Sequence, residues 1–127
     1  MTPDDISIGQ LVEQIAVVRS DRGEALPLRD ERPWHELFYH LKTQQDPARP
    51  KFFDSLDFDW DGPYPKSQDL SAFLQALHWN ACVSAANPHF EQASLNPEVK
   101  GLWGREAGEL AEELEIYIRR AAQGLDA

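Results

Sequence analysis

Residues 57–66 read Asp57-Phe58-Asp59-Trp60-Asp61-Gly62-Pro63-Tyr64-Pro65-Lys66, and the fold turns on how they are understood. Leu56, Phe58 and Trp60 alternate with Asp57, Asp59 and Asp61. That is the period of a half-buried strand with one wet face. Gly62-Pro63 and Pro65 end it. The competing reading is ionic. Asp57, Asp59, Asp61 and Gly62 fit positions 1, 3, 5 and 6 of an EF-hand calcium loop, and Pro63 at position 7 needs to offer only its carbonyl. Pro65 at position 9 has no side-chain oxygen, and Gln68 at position 12 cannot supply the bidentate carboxylate. The entering helix is also missing, because Pro50 and the period-two pattern precede the loop. The strand is preferred; calcium on Asp57, Asp59 and Asp61 is kept as an alternative.

Downstream, Ser67 caps a helix with Asp69 in its first turn. Leu70, Phe73, Leu74 and Leu77 give it one apolar face, ending near Asn80. Upstream, Pro33 starts a helix whose face is Trp34, Leu37, Phe38 and Leu41. It fades by Asp46-Pro47, since the residue before proline avoids helical angles. The first helix carries a capping box, Ser7 with Gln10, and a staple of Ile6 on Leu11. Leu11, Ile15 and Val18 continue its face, and Gly23 ends it. Residues 20–33 read as a solvated loop, because Asp21, Glu24, Asp30 and Glu31 balance Arg19, Arg22, Arg29 and Arg32.

After the third helix a hairpin is expected, Cys82–Ala86 and Phe90–Leu95 around Asn87-Pro88-His89. Asn96-Pro97-Glu98 then starts a helix, weak at Gly101 and Gly104 but firm from Arg105 to Gln123 and ended by Gly124. The expected fold class is α+β, mostly helical: a winged-helix-like order of helix, helix, short strand, helix and β-hairpin, with an additional long C-terminal helix. Residues 1–127 form one domain, with 105–123 as its assembly element.

The run Phe58-Asp59-Trp60-Asp61-Gly62-Pro63-Tyr64-Pro65-Lys66-Ser67-Gln68-Asp69-Leu70 resembles a segment of the YwgA-like and phage-associated small bacterial proteins, in which an aromatic strand enters a Gly-Pro-Tyr turn and then a helix. The resemblance spans residues 33–95 at most. It implies a winged-helix-like fold, a bacterial origin and a tie to phage or toxin–antitoxin biology. It implies no catalytic residues.

Composition narrows the function classes. The 127 residues hold 22 acids against 12 lysines and arginines, a net charge of −10, which repels phosphate backbones and anionic membranes. Cys82 is the only cysteine, so no internal disulfide forms and nothing asks for an oxidising compartment. Met1-Thr2-Pro3-Asp4-Asp5 lacks the features of a signal peptide, and no apolar run reaches the roughly 18 residues of a membrane span. A cytoplasmic location is expected.

Catalytic and metal chemistry find little support. His35 and His40 are five apart, which rotates them about 140° around a helix and forbids a shared metal. His78 and Cys82 are separated by the helix end expected at Asn80, so a thiolate–imidazole pair is not expected. No phosphate-binding glycine loop or nucleophile elbow occurs. The helix expected to read DNA in a winged-helix order, Ser67 to Asn80, has only Lys66 at its mouth, where tight DNA binders make roughly 6–10 phosphate contacts. A DNA-binding regulator needs a surface drawn from Arg19, Arg22, Lys42, Arg49, Lys51 and Lys66.

Trp103, Ala107, Leu110, Leu114, Tyr117 and Ala121 form a seam of the coiled-coil type on the last helix. The expected function is a non-enzymatic protein-interaction module without cofactors, antitoxin-like or a phage-linked accessory. It pairs with a protein partner or a second copy through that helix. Trp60 and Tyr64, with Trp103, Leu110, Leu114 and Tyr117, are the contact candidates, since aromatics are enriched at interfaces.

Overall fold

The computed structural model describes residues 2–23, 26–27, 31–79, 83–84, 92–95 and 97–125. Five α-helices dominate: α1 (Ile8–Asp21), α2 (Arg32–Thr43), α3 (Gln68–Trp79), α4 (Pro97–Ala107) and α5 (Glu112–Gly124). The α+β winged-helix expectation is therefore corrected to a helical fold. Extended backbone among the described residues is confined to fragments: β1 (Leu26–Pro27), β2 (Val83–Ser84) and β3 (Gln92–Leu95). β3 pairs antiparallel with both others, two residue pairs in each case. Pairings this short do not build a sheet layer, which needs several strands of about five residues. The expected hairpin turn, Asn87-Pro88-His89, and Cys82 lie outside the described residues.

The strand expected at Leu56–Asp61 does not form. A 3-10 turn occupies Lys51–Ser55, and from there to α3 the one pairing is an isolated bridge between Asp59 and Lys66. Aspartate at every second position disfavours extended pairing, and Pro63 and Pro65 lack the N–H donors a ladder needs. The expected dry face also dissolves along its length. Leu56 is 4% exposed, Phe58 is half-buried and Trp60 is 58% exposed.

The single long C-terminal helix is likewise corrected. It is two helices, α4 and α5, broken at residues 108–111. Gly108 and Glu109 close short-range turns onto Arg105 and Glu106, and Ala111 takes an extended conformation before α5. Glycine is the weakest helix former after proline, so Gly104 and Gly108 together lower the helix's continuity here. No side chain caps α5. Glu112, Glu113 and Glu115 in its first turn supply the favourable charge instead.

The core is helix on helix. The capping box of Ser7 and Gln10 sets the start of α1, which packs against α3, α4 and α5. Leu11, Val12 and Ile15 of α1 are fully buried, as are Leu114 and Ile118 of α5. Two polar side chains brace this layer by satisfying carbonyls. Gln14 Nε2 donates to Trp103 O at 3.0 Å, and Arg19 Nη1 donates to Ala122 O at 3.4 Å. Trp34, Leu37, Phe38 and Leu41 are the buried face of α2. Phe38 meets Trp34 and Phe53 edge-on at 6.4 and 5.7 Å. Each such fully buried apolar side chain contributes about 1.5–3 kcal/mol. α2 thus turns one face inward and leaves Arg32, Glu36 and His40 exposed, and the outer side of this helix receives the 57–66 turn.

Candidate interaction site

The turn is closed by its own backbone. Asp59 N–H donates to Lys66 O at 2.8 Å, and Lys66 N–H donates to Asp59 O at 2.9 Å. Within the loop, Asp59 Oδ1 accepts the Asp61 N–H at 3.0 Å, the turn-forming habit of aspartate. The carboxylate of Asp59 is therefore spent on the backbone. Lys42 of α2 donates its Nζ to Leu56 O and ties the start of the turn down.

Aromatic contacts fix the turn to α2. Tyr39 meets Phe58 at 5.4 Å and Trp60 at 5.0 Å, with its plane nearly perpendicular to both, at 78° and 88°. Such edge-to-face pairs contribute about 0.5–1.5 kcal/mol each beyond burial. Tyr64 lies 5.7 Å from the His35 ring, and the Arg32 guanidinium sits 5.7 Å over Tyr64. Arg32 also pairs with Glu36. His35 is fully buried and joins three elements: its Nδ1 accepts the Ser67 N–H at 3.0 Å, and its Nε2 lies 3.2 Å from Glu31 Oε1.

Hollows flank the turn on several sides. One, of about 250 Å³, is lined by Glu36, Tyr39, Trp60, Pro63, Tyr64 and Pro65. Another, of about 620 Å³, is more polar and includes Asp59, Asp61, Lys66, Gln68, Ser71 and Gln75. A third, of about 310 Å³, is lined by Asp57, Phe58, Asp59, Lys66, Gln68 and Asp69. Trp60, at 58% exposure, is the most accessible aromatic side chain described.

The structure separates the contact candidates into two groups. Trp60 and Tyr64 come together on the α2 surface. Trp103, Leu114 and Tyr117 are buried within the chain and Leu110 is half-buried, so the expected seam is occupied by the chain's own helices. On the outer side of α5, Ile116 stays 45% exposed. Asp57, Asp59 and Asp61 are all exposed, and among the described residues no three His, Cys, Asp or Glu side chains gather as a metal site. The basic residues named for DNA are partly consumed. Arg19 is 5% exposed, Lys42 holds Leu56 O, and Arg49 donates to Lys42 O and pairs with Asp54 at 2.6 Å. Arg22, Lys51 and Lys66 remain exposed. The side chain of His78 and all of Cys82 lie outside the described residues.

Sequence reading missed Arg32, His35, Glu36 and Tyr39. Their spacing of i, i+3, i+4 and i+7 is a second stripe on α2. Two aromatic rings in that stripe, opposite the apolar face, were the available signal.

Away from the turn, Glu13 of α1 and Glu106 of α4 face each other electrostatically. Burial, and then the Glu106 charge, raise the Glu13 carboxyl from 4.5 to about 7. No helix among the described residues is long and apolar enough to cross a membrane. Comparison with family models, with curated proteins and with solved structures finds no match for this chain.

Proposed function

We propose that this chain is a non-enzymatic, cytoplasmic protein-interaction module, and that its contact surface is the 57–66 turn on α2 rather than the C-terminal seam. The observation that carries this reading is Trp60. A large aromatic ring is 58% exposed, yet its position is fixed by Tyr39 at 5.0 Å. Rigid, exposed aromatics are the side chains that anchor interfaces, because they bury much area at little entropic cost. The burial of Trp103, Leu114 and Tyr117 supports moving the interface away from the last helix. The resemblance of residues 58–70 to phage-associated bacterial proteins supports an antitoxin-like or phage-linked accessory role. The charge of −10 and the engagement of Arg19, Lys42 and Arg49 in internal contacts weigh against DNA as the partner.

Site-specific photo-cross-linking in the host cell tests the reading. A cross-linker replacing Trp60 is expected to give a discrete protein adduct, and one at Leu102, equally exposed at 60%, to give none. The identified partner then binds the purified chain, and Trp60→Ala weakens that binding at least about tenfold, the scale of an interface hot spot. An identified partner that binds Trp60→Ala as tightly as the parent chain rules the turn out as the contact surface.

A further inference from the structure

We propose that the corner formed by Tyr39, Trp60 and Tyr64 is a cation-recognition site for an arginine or lysine side chain, presented by a basic segment of the protein partner. This deepens the reading of the turn as a contact surface and rests on it.

The hollow is the right size for one side chain. Its volume is about 250 Å³, below the 300–1,000 Å³ typical of small-molecule pockets. Three of its six lining residues are Tyr39, Trp60 and Tyr64. Tyr39 and Trp60 stand at 88° with centroids 5.0 Å apart, so they form two walls of a corner. Aromatic faces are electron-rich and attract cations within about 6 Å of the ring centroid, tryptophan most strongly. The chain supplies its own example: the Arg32 guanidinium already lies 5.7 Å over the Tyr64 ring.

Charge selects the occupant. Along residues 57–66, Asp57, Asp59 and Asp61 stand against Lys66 alone, and all four are exposed. Glu36 lines the hollow itself. It pairs with Arg32, yet its side chain stays 49% exposed and can face a second cation. Of these carboxylates only Glu36 lines the hollow; the three aspartates lie along the turn outside it, Asp59 holding the Asp61 N–H, and add a longer-range negative field. An apolar or proline-rich segment would leave that field and Glu36 unused. A second copy of the chain carries −10 itself and is repelled.

The test is an NMR titration of the full chain, following the Trp60 indole N–H, assigned by its loss in Trp60→Phe. The probes are N-acetylarginine methylamide and its neutral counterpart N-acetylnorleucine methylamide. The arginine probe is expected to shift the Trp60 signal saturably and to bind at least about fivefold more tightly than norleucine, with Tyr39→Leu erasing most of that preference. Raising salt from about 20 to about 300 mM weakens arginine binding and leaves norleucine unchanged. Equal affinity for the two probes overturns the proposal, as does unaltered arginine selectivity in Tyr39→Leu. Should Tyr39→Leu fail to fold, Trp60→Leu, at an exposed position, repeats the comparison of the two probes by titration calorimetry, which does not need the indole signal. A cross-linked partner that free arginine probe does not displace overturns the cation site while keeping the interaction surface. Arginine selectivity without any cross-linked partner overturns the interaction reading and the occupant named here.

Discussion

The backbone N–H of Ser67 donates to Nδ1 of His35 across 3.0 Å, in a place where both residues are buried to 1% exposure or less. A backbone amide can only donate, so Nδ1 carries a lone pair and the imidazole proton sits on Nε2, facing Glu31 Oε1 at 3.2 Å. Ser67 Oγ in turn accepts the Leu70 N–H at 3.3 Å and caps α3. One neutral histidine on α2 therefore holds the start of α3 and, through Tyr64, the aromatic turn.

His35→Ala is expected to destabilise the chain by about 2–4 kcal/mol, because it opens a cavity and strands a buried amide. His35→Phe fills the space but still strands the Ser67 N–H, at a cost of about 1–3 kcal/mol. Urea denaturation measures both. If His35→Phe is as stable as the parent chain, the hydrogen bond to Ser67 contributes nothing to the fold.

This link also shows where the sequence was legible. Ser67 was readable as a cap, and Ser7 with Gln10 as a capping box, because both depend on neighbours three residues away. The apolar faces of α1 and α2 were readable for the same local reason. The His35–Ser67 bond spans 32 positions, and no spacing rule reports it. The alternation at Leu56, Phe58 and Trp60 misled because period two records a pattern, not a pairing partner. With prolines at 63 and 65 only one bridge closed, and Trp60 was left outside. The seam on the last helix was real as a hydrophobic pattern, but Trp103 and Leu114 spend it on the chain's own core. The helix break was hidden because the heptad-like spacing runs through Gly108 without interruption.

Glu13 makes stability fall as pH rises. Its carboxyl is raised from 4.5 to about 7 in the folded chain, so the folded state holds the proton more tightly than the unfolded one. The associated stability is complete below about pH 4.5 and is lost as pH rises through about 7. The group is only half-buried, so solvent screening reduces the effect to about 1–2 kcal/mol. Glu13→Gln cannot ionise. Its stability relative to the parent chain is expected to increase between pH 5 and pH 8 by about that amount, read from urea midpoints at each pH. A difference between the two that does not change with pH contradicts the raised carboxyl.

Two helical glycines are expected to respond in opposite directions to alanine. A Cβ on Gly104 of α4 meets nothing within 4 Å, so Gly104→Ala stabilises by about 0.5–1 kcal/mol through helix propensity. A Cβ on Gly9 of α1 falls 2.6 Å from Cε2 of Phe73. That contact forces the ring to move, and overpacking of this kind costs about 1–3 kcal/mol, more than propensity returns. Gly9→Ala therefore lowers the melting temperature, and adding Phe73→Leu restores part of it. A stabilised Gly9→Ala means that Phe73 moves aside freely and does not secure α3 against α1.

Tyr117 of α5 is 4% exposed, and its hydroxyl is buried without a hydrogen-bond partner. Burial, reinforced by the Asp46 charge and opposed by Arg49, holds its phenol above the usual tyrosine range, so it stays protonated throughout the neutral region. A buried hydroxyl with no partner loses its water contacts and gains nothing in return. The ring, by contrast, packs in the core beside Leu114 and Ala121. Tyr117→Phe keeps the ring and removes the stranded group, so it is expected to be neutral or to stabilise by up to about 1 kcal/mol. Tyr117→Ala removes the ring as well and costs about 3–5 kcal/mol. Thermal and urea denaturation of the pair separates the two contributions. A loss of more than about 1 kcal/mol in Tyr117→Phe shows that the hydroxyl finds a partner in solution, and the expectation of a stranded group is then wrong.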